Sequence, residues 1–192
     1  MAIKNEIDVN KSDSVFLDTR DIKANAEGIK VRLFGDQVMG YAYYQNAQED
    51  GKDVIKNVKS KDYPKMENPT DNFKGETQKP SKNLYSVVWD YDAERPAVLT
   101  LDKVSVISEL LNVEKDKDLK SMTDYDFKIT FDANEVPASK YKVVRLDATD
   151  LTKEQLKELK AFTKGVTLEE FADGGNALVS DNDDTSDIAK EF

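Results

Sequence analysis

Ile29, Val31 and Leu33 alternate with Lys30 and Arg32, the period of a strand with one buried face. Gly35-Asp36 then marks a bulge or bend. The run from Gln37 to Tyr44 is strand-like again, with Gly40 where a long strand bends. The pattern predicts one long kinked strand over 29–45, or two short ones. A β-branched and aromatic run over 84–91, a tight turn over 92–95 and an apolar run over 96–101 predict a hairpin. Asp90, Asp92 and Glu94 are read as turn chemistry rather than as a metal site. Asp102 reads as an N-cap. Val104, Ile107, Leu110 and Leu111 recur at helical spacing and predict an amphipathic helix over 103–113. Tyr125, Phe127, Ile129 and Phe131 share one face of a strand over 125–131, and 139–146 reads as the last strand. Thr152 to Gln155 fits a capping box for a helix over 152–163, with Gly165 to stop it and a short helical turn over 167–171 beyond.

The stretches outside this pattern are of three kinds. Residues 1–14 are polar and expected to be mobile. Residues 46–82 hold Gly51, Pro64, Pro69, Gly75 and Pro80 with few apolar side chains, and read as a loop of over 30 residues. So long a loop is usually functional or disordered. Residues 173–192 are acidic, open on Gly174-Gly175, and read as a disordered tail ending in Phe192. This leaves a domain over 15–148 and a helical segment over 149–172. The order of a bent strand, a long loop, a hairpin, a helix and two strands matches an oligonucleotide-binding (OB) barrel. The expected class is therefore mainly β: a five-stranded OB-like barrel with a helix between its third and fourth strands, a C-terminal helix and a tail. Ligands of that fold lie across strands two and three, flanked by the loops that join strands one to two and four to five.

Composition narrows the chemistry. The chain of 192 residues has no cysteine and no histidine. Disulfides, thiolate nucleophiles and Cys-based metal sites are excluded, and so is the side chain best suited to proton transfer near neutrality. Phosphate-loop, nucleophile-elbow and dinucleotide motifs are absent as well. No enzyme, cofactor or metal is expected. The net charge is −10, from 28 Lys and Arg against 38 Asp and Glu, which on its face argues against nucleic acid. The charge is not evenly spread. The last twenty residues hold six acids and one lysine, half of the total, and from Lys52 to Lys82 eight lysines face five acids.

A single strand of DNA needs cations along its phosphates and flat groups on its bases. Lys30, Arg32, Lys56, Lys59, Lys61 and Lys82 are the candidate cations. Tyr41, Tyr43, Tyr44, Tyr85, Trp89 and Tyr91 are the candidate stacking groups. Period-two geometry puts Tyr85, Trp89 and Tyr91 on one face, and sets Tyr41 and Tyr43 opposite to Tyr44. The pattern leaves open which of these rings fill the core and which meet bases.

The stretch from Ile29 to Leu146, above all Val31-Arg32-Leu33-Phe34, residues 38–44, Ser86-Val87-Val88-Trp89-Asp90-Tyr91 and residues 123–130, resembles the bacteriophage single-stranded DNA-binding proteins with an OB fold. The tail, with Asp181, Asp183, Asp184, Asp187, Glu191 and the terminal Phe192, is similar to the acidic ends of such proteins. The resemblance implies a sequence-independent binder that coats and protects single strands in phage replication, recombination or repair. It also implies a tail that competes with DNA and recruits polymerase, helicase or primase. The expected location is the cytoplasm of an infected host, without membrane contact, and tail-mediated pairing of two copies is a further expectation. The rival class is an acidic protein-interaction module, or a mimic of DNA charge that inhibits a DNA-binding enzyme.

Overall fold

The computed structural model describes residues 15–72 and 74–178. The long kinked strand forms, and it is longer than expected: β2, numbered after a short β1 (Phe16–Leu17), runs from Ile29 to Glu49. Two extra residues on β2 between Phe34 and Val38 make the anticipated bulge. β4 (Ser81–Asp90) and β5 (Arg95–Leu101) form the hairpin. The carboxylate of Asp90 accepts the backbone N–H groups of Asp92 and Ala93 at 2.9 and 3.2 Å, closing its turn. β6 (Tyr125–Phe131) and β7 (Tyr141–Asp147) pair with each other, and β6 pairs with the start of β2.

Three expectations are corrected. The span 46–82 is not all loop, because β3 (Lys52–Ser60) pairs antiparallel with the outer part of β2. Asp50 and Gly51 both take positive φ, the requirement of a tight two-residue hairpin turn. Charged side chains on both faces of a two-stranded ribbon look like loop composition, which is why the pattern hid this strand. Second, the sheet does not close into a five-stranded barrel. It is a mixed seven-stranded sheet in the order β1-β5-β4-β2-β6-β7, with β3 also on β2. The outer edge of β5 is taken by β1, in parallel, rather than by β7. Third, Asp102 does not cap the helix after β5. That helix, α2 (Val104–Lys115), begins at Lys103 with no side-chain cap. Asp102 instead accepts the hydroxyl of Thr19 at 2.8 Å and the ammonium of Lys103 at 2.9 Å. Thr19 opens α1 (Thr19–Ala24), a helix the apolar pattern did not single out.

From Asn83 to Asp90 every residue of β4 is buried, because both faces of the sheet are covered there. One face carries Val31, Leu33, Leu84, Val88, Leu99 and Phe127 against Ile22 of α1 and Val106, Ile107 and Leu110 of α2. The other carries Val38, Tyr85, Val87, Trp89 and Val98 against the C-terminal helices. These are α3 (Lys153–Lys164) and α4 (Leu168–Ala172), which add Leu159, Leu168 and Ala172. The expected capping box of Thr152 and Gln155 starts α3, and Gly165 ends it. The chain stays in the folded body past Ala172. Ala177 is buried, its carbonyl accepts from the Thr167 N–H at 2.9 Å, and Leu178 bridges to Val166. The boundary expected at 173 therefore moves to at least 178. The expected tail residues Asp181, Asp183, Asp184, Asp187, Glu191 and Phe192, and Phe73 of the basic segment, lie outside the described residues. Among the described residues no helix is long and apolar enough to cross a membrane.

Candidate nucleic-acid interface

The bulge divides β2 into an inner half, before Gly35, and an outer half, after Gln37. The predicted residues separate the same way. On the inner half the Asp126 side chain is fully buried between Lys30 and Arg32, at 3.1 and 2.8 Å. The Tyr91 hydroxyl donates to the same carboxylate at 2.9 Å, and the Thr149 N–H donates to it at 3.0 Å. Lys30 stacks over the Tyr91 ring at 4.3 Å, and the Arg32 guanidinium also donates to the Thr149 carbonyl at 2.6 Å. Burial alone would raise the Asp126 pKa, but bonds from Thr149, Tyr91 and Lys30 outweigh it and hold the carboxyl below its ordinary value. Burial, reinforced by Asp126, pushes the Tyr91 phenol well above its ordinary value. Lys30, Arg32 and Tyr91 thus spend their charge and hydrogen bonds on the junction with the C-terminal segment.

Two further predicted residues are core. Trp89 is 1% exposed, and Tyr85 is fully buried with its hydroxyl accepting from the Asn83 amide at 3.1 Å. No face of either ring is open to a base in this conformation, which corrects their assignment as surface platforms. Tyr85 and Trp89 do share one sheet face, as period-two geometry requires. That face is simply covered, by helices whose apolar stripes the sequence showed without saying where they dock.

The outer half gathers the remaining candidates. Its cross-strand partners place Tyr41, Tyr43, Lys56, Ser60 and Lys82 on one face, and Ala42, Tyr44, Asn57, Lys59 and Ser81 on the other. On the first face Tyr43 is buried, and its hydroxyl accepts from the Glu67 N–H at 3.1 Å. Tyr41 meets the exposed Tyr63 edge to face, with centroids 5.3 Å apart. Lys82 stands opposite Tyr41, exposed and without an ion pair among the described residues, whereas Lys56 pairs with Glu49 at 2.7 Å. Residues 68–70 bind the free edge of β2 through the Asn46 N–H to the Asn68 carbonyl and the Thr70 N–H to the Tyr44 carbonyl. The segment after β3 is thereby fixed beside the tyrosines. Lys61 is exposed, and its backbone N–H donates to Asp173 at 3.2 Å.

The second face holds a groove of about 580 Å³. Tyr44, 49% exposed, lies in it with the amides of Asn57, Gln78 and Asn83, and with Arg20 and Lys79. It continues the Tyr85 face beyond α4: a Cβ placed on Gly40 would stand 3.4 Å from that of Ala172, and two residues further on Ala42 already lines the groove. Arg20 is bound to Asp18, which caps α1 and is pulled below its ordinary pKa by the hydrogen bonds from Arg20, against the effect of burial. Lys79 makes no ion pair among the described residues. Lys59, on the same face, is desolvated under α4 and its pKa falls to about 8. Arg20 and the groove amides had no sequence signal, since polar residues acquire direction only from the sheet that carries them. Lys79 and Tyr63 were visible as members of the basic segment but not separable from their neighbours.

A scan of protein-family models and searches of curated proteins and of solved structures each found no match to this chain.

Proposed function

We propose that this chain binds single-stranded DNA without regard to sequence, coating and protecting it, through the outer half of β2 together with β3 and the start of β4. One observation carries the reading. The exposed Tyr44 and Tyr63, the half-buried Tyr41, and two exposed lysines without an ion pair among the described residues, Lys79 and Lys82, lie on the two faces of this half, beside a polar groove. Stacked bases favour such rings at about 1–3 kcal/mol each whatever the base, and the cations track the phosphates. We further propose that the sheet is an opened relative of the OB barrel, since β5-β4-β2-β6-β7 runs through the five strands expected of one. The acidic end with Phe192 then competes for the groove and, when displaced, recruits replication proteins. Because the body is itself acidic, binding relies on this local patch and not on overall charge.

The test is titration of a labelled oligothymidine, its RNA counterpart and a DNA duplex at several salt concentrations, with the full chain and with a form ending at Leu178. Preference for the single strand, affinity that falls with salt, and tighter binding by the shortened form are expected. No binding by the shortened form at low salt would sink the proposal and favour the protein-interaction class.

A further inference from the structure

Phe171 of α4 sits in a slot built from three other elements. Its ring stacks on Phe16 of β1 with centroids 5.5 Å apart at 28°, and meets Tyr85 of β4 edge-on at 5.4 Å and 76°. The ammonium of Lys59, from β3, lies 3.2 Å from the centre of the Phe171 ring. Lys59 makes no ion pair among the described residues, although it is half buried. A cation pressed against a flat ring, with no carboxylate to match it, is the arrangement that a stacked base with its phosphate would complete. The segment that fills the slot has that chemistry in miniature. Glu169 and Glu170 precede the ring and Asp173 follows it, all exposed, so one flat group is bracketed by anions as in a nucleotide strand. The slot lies on the face that continues into the Tyr44 groove, so the two form one path along the sheet.

We propose that the slot between Phe16, Tyr85 and Lys59 is a nucleobase site on the single-strand path, occupied here by Phe171 as an internal stand-in. This rests on the reading of the chain as a single-strand binder. α4 suits such an exchange. It has five residues, only Leu168 and Ala172 of which are buried, and just past its Asp173 cap stands Gly174, whose φ of 91° permits a sharp change of direction. When DNA enters, α4 lifts, the base replaces Phe171 and the Lys59 ammonium gains a phosphate.

The absence of cysteine from the chain gives a reversible test. Gly40→Cys with Ala172→Cys places two Cβ atoms about 3.4 Å apart, close to the spacing a disulfide needs. The full-length double variant is titrated with labelled oligothymidine, oxidised and then reduced. With α4 locked down, binding is expected to weaken by about tenfold or more, the value of one lost stack, and to recover on reduction. Trp89, the one tryptophan of the chain, belongs to the same apolar cluster as Leu168 and Ala172. Its emission is expected to shift when oligothymidine binds the reduced form, and not when oxidised protein is mixed with it. Equal affinities in the two redox states overturn the slot while single-strand binding stands; absence of binding by the unaltered chain overturns both. Should the double variant not fold, Phe171→Ala decides in the opposite direction: binding several-fold tighter is expected, and unchanged or weaker binding overturns the proposal.

Discussion

The two halves of β2 start from similar sequence and reach opposite ends. Each alternates apolar residues with cations or aromatics. The inner half turns its cations toward Asp126, a fully buried carboxylate on the neighbouring strand β6, and lies under the C-terminal segment. The outer half has no such carboxylate. It extends past β6, pairs with the polar ribbon β3, and leaves Tyr44 exposed in a groove. A cation on a strand is thus left free or made a structural brace depending on what the next strand supplies. Two charges taken from water hold together only where partners and hydrogen bonds saturate them. Asp126 is saturated, by Lys30, Arg32, Tyr91 and Thr149, and that saturation takes these residues out of any surface site.

The sharpest way to break the contrast is Asp126→Ala. It strands two cations in a largely buried setting and is expected to cost about 3–5 kcal/mol in urea unfolding. Stability is also expected to fall on acidification. The folded pKa of Asp126 is depressed, so its contribution is complete above the ordinary carboxylate range and fades as pH falls through the lower folded value. The acid limb of the unfolding profile should flatten in Asp126→Asn. Next in size is the comparison of two aromatics. Trp89→Ala should cost about 3–5 kcal/mol of stability as a core truncation. Tyr44→Ala should leave the urea midpoint nearly unchanged yet weaken oligothymidine binding by about 1–3 kcal/mol. A Tyr44→Ala protein that binds normally would remove the groove from the interface. The smallest effect is expected for Lys82→Gln: intact stability, and a salt dependence of binding shallower by about 0.7, the contribution of one phosphate contact to a single strand.

Much of the scaffold was legible in the chain because it rests on local periodicity. The bulge after Phe34, the β4–β5 hairpin, the Phe127 face of β6 and the Thr152 capping box all depend on residues within a few positions of each other. The site was only partly legible. The opposition of Tyr44 to Tyr41 and Tyr43 follows from strand geometry and is observed. The burial of Trp89 could not be read, because it depends on Leu159, Leu168 and Ala172, some seventy to eighty residues later. β3 escaped because a ribbon with charge on both faces carries no apolar alternation.

By itself, then, the sequence determined the element types outside α1 and β3, the sharing of strand faces and the concentration of lysines between Lys52 and Lys82, since φ/ψ preference and side-chain period act along the chain. Only the tertiary structure decided which of those faces is open. Two docked helices closed the aromatic face of β4, and one buried carboxylate converted Lys30 and Arg32 from free cations into braces. Burial and charge pairing are properties of neighbours in space, and those neighbours come from β6 and the C-terminal segment, far from β2 along the chain.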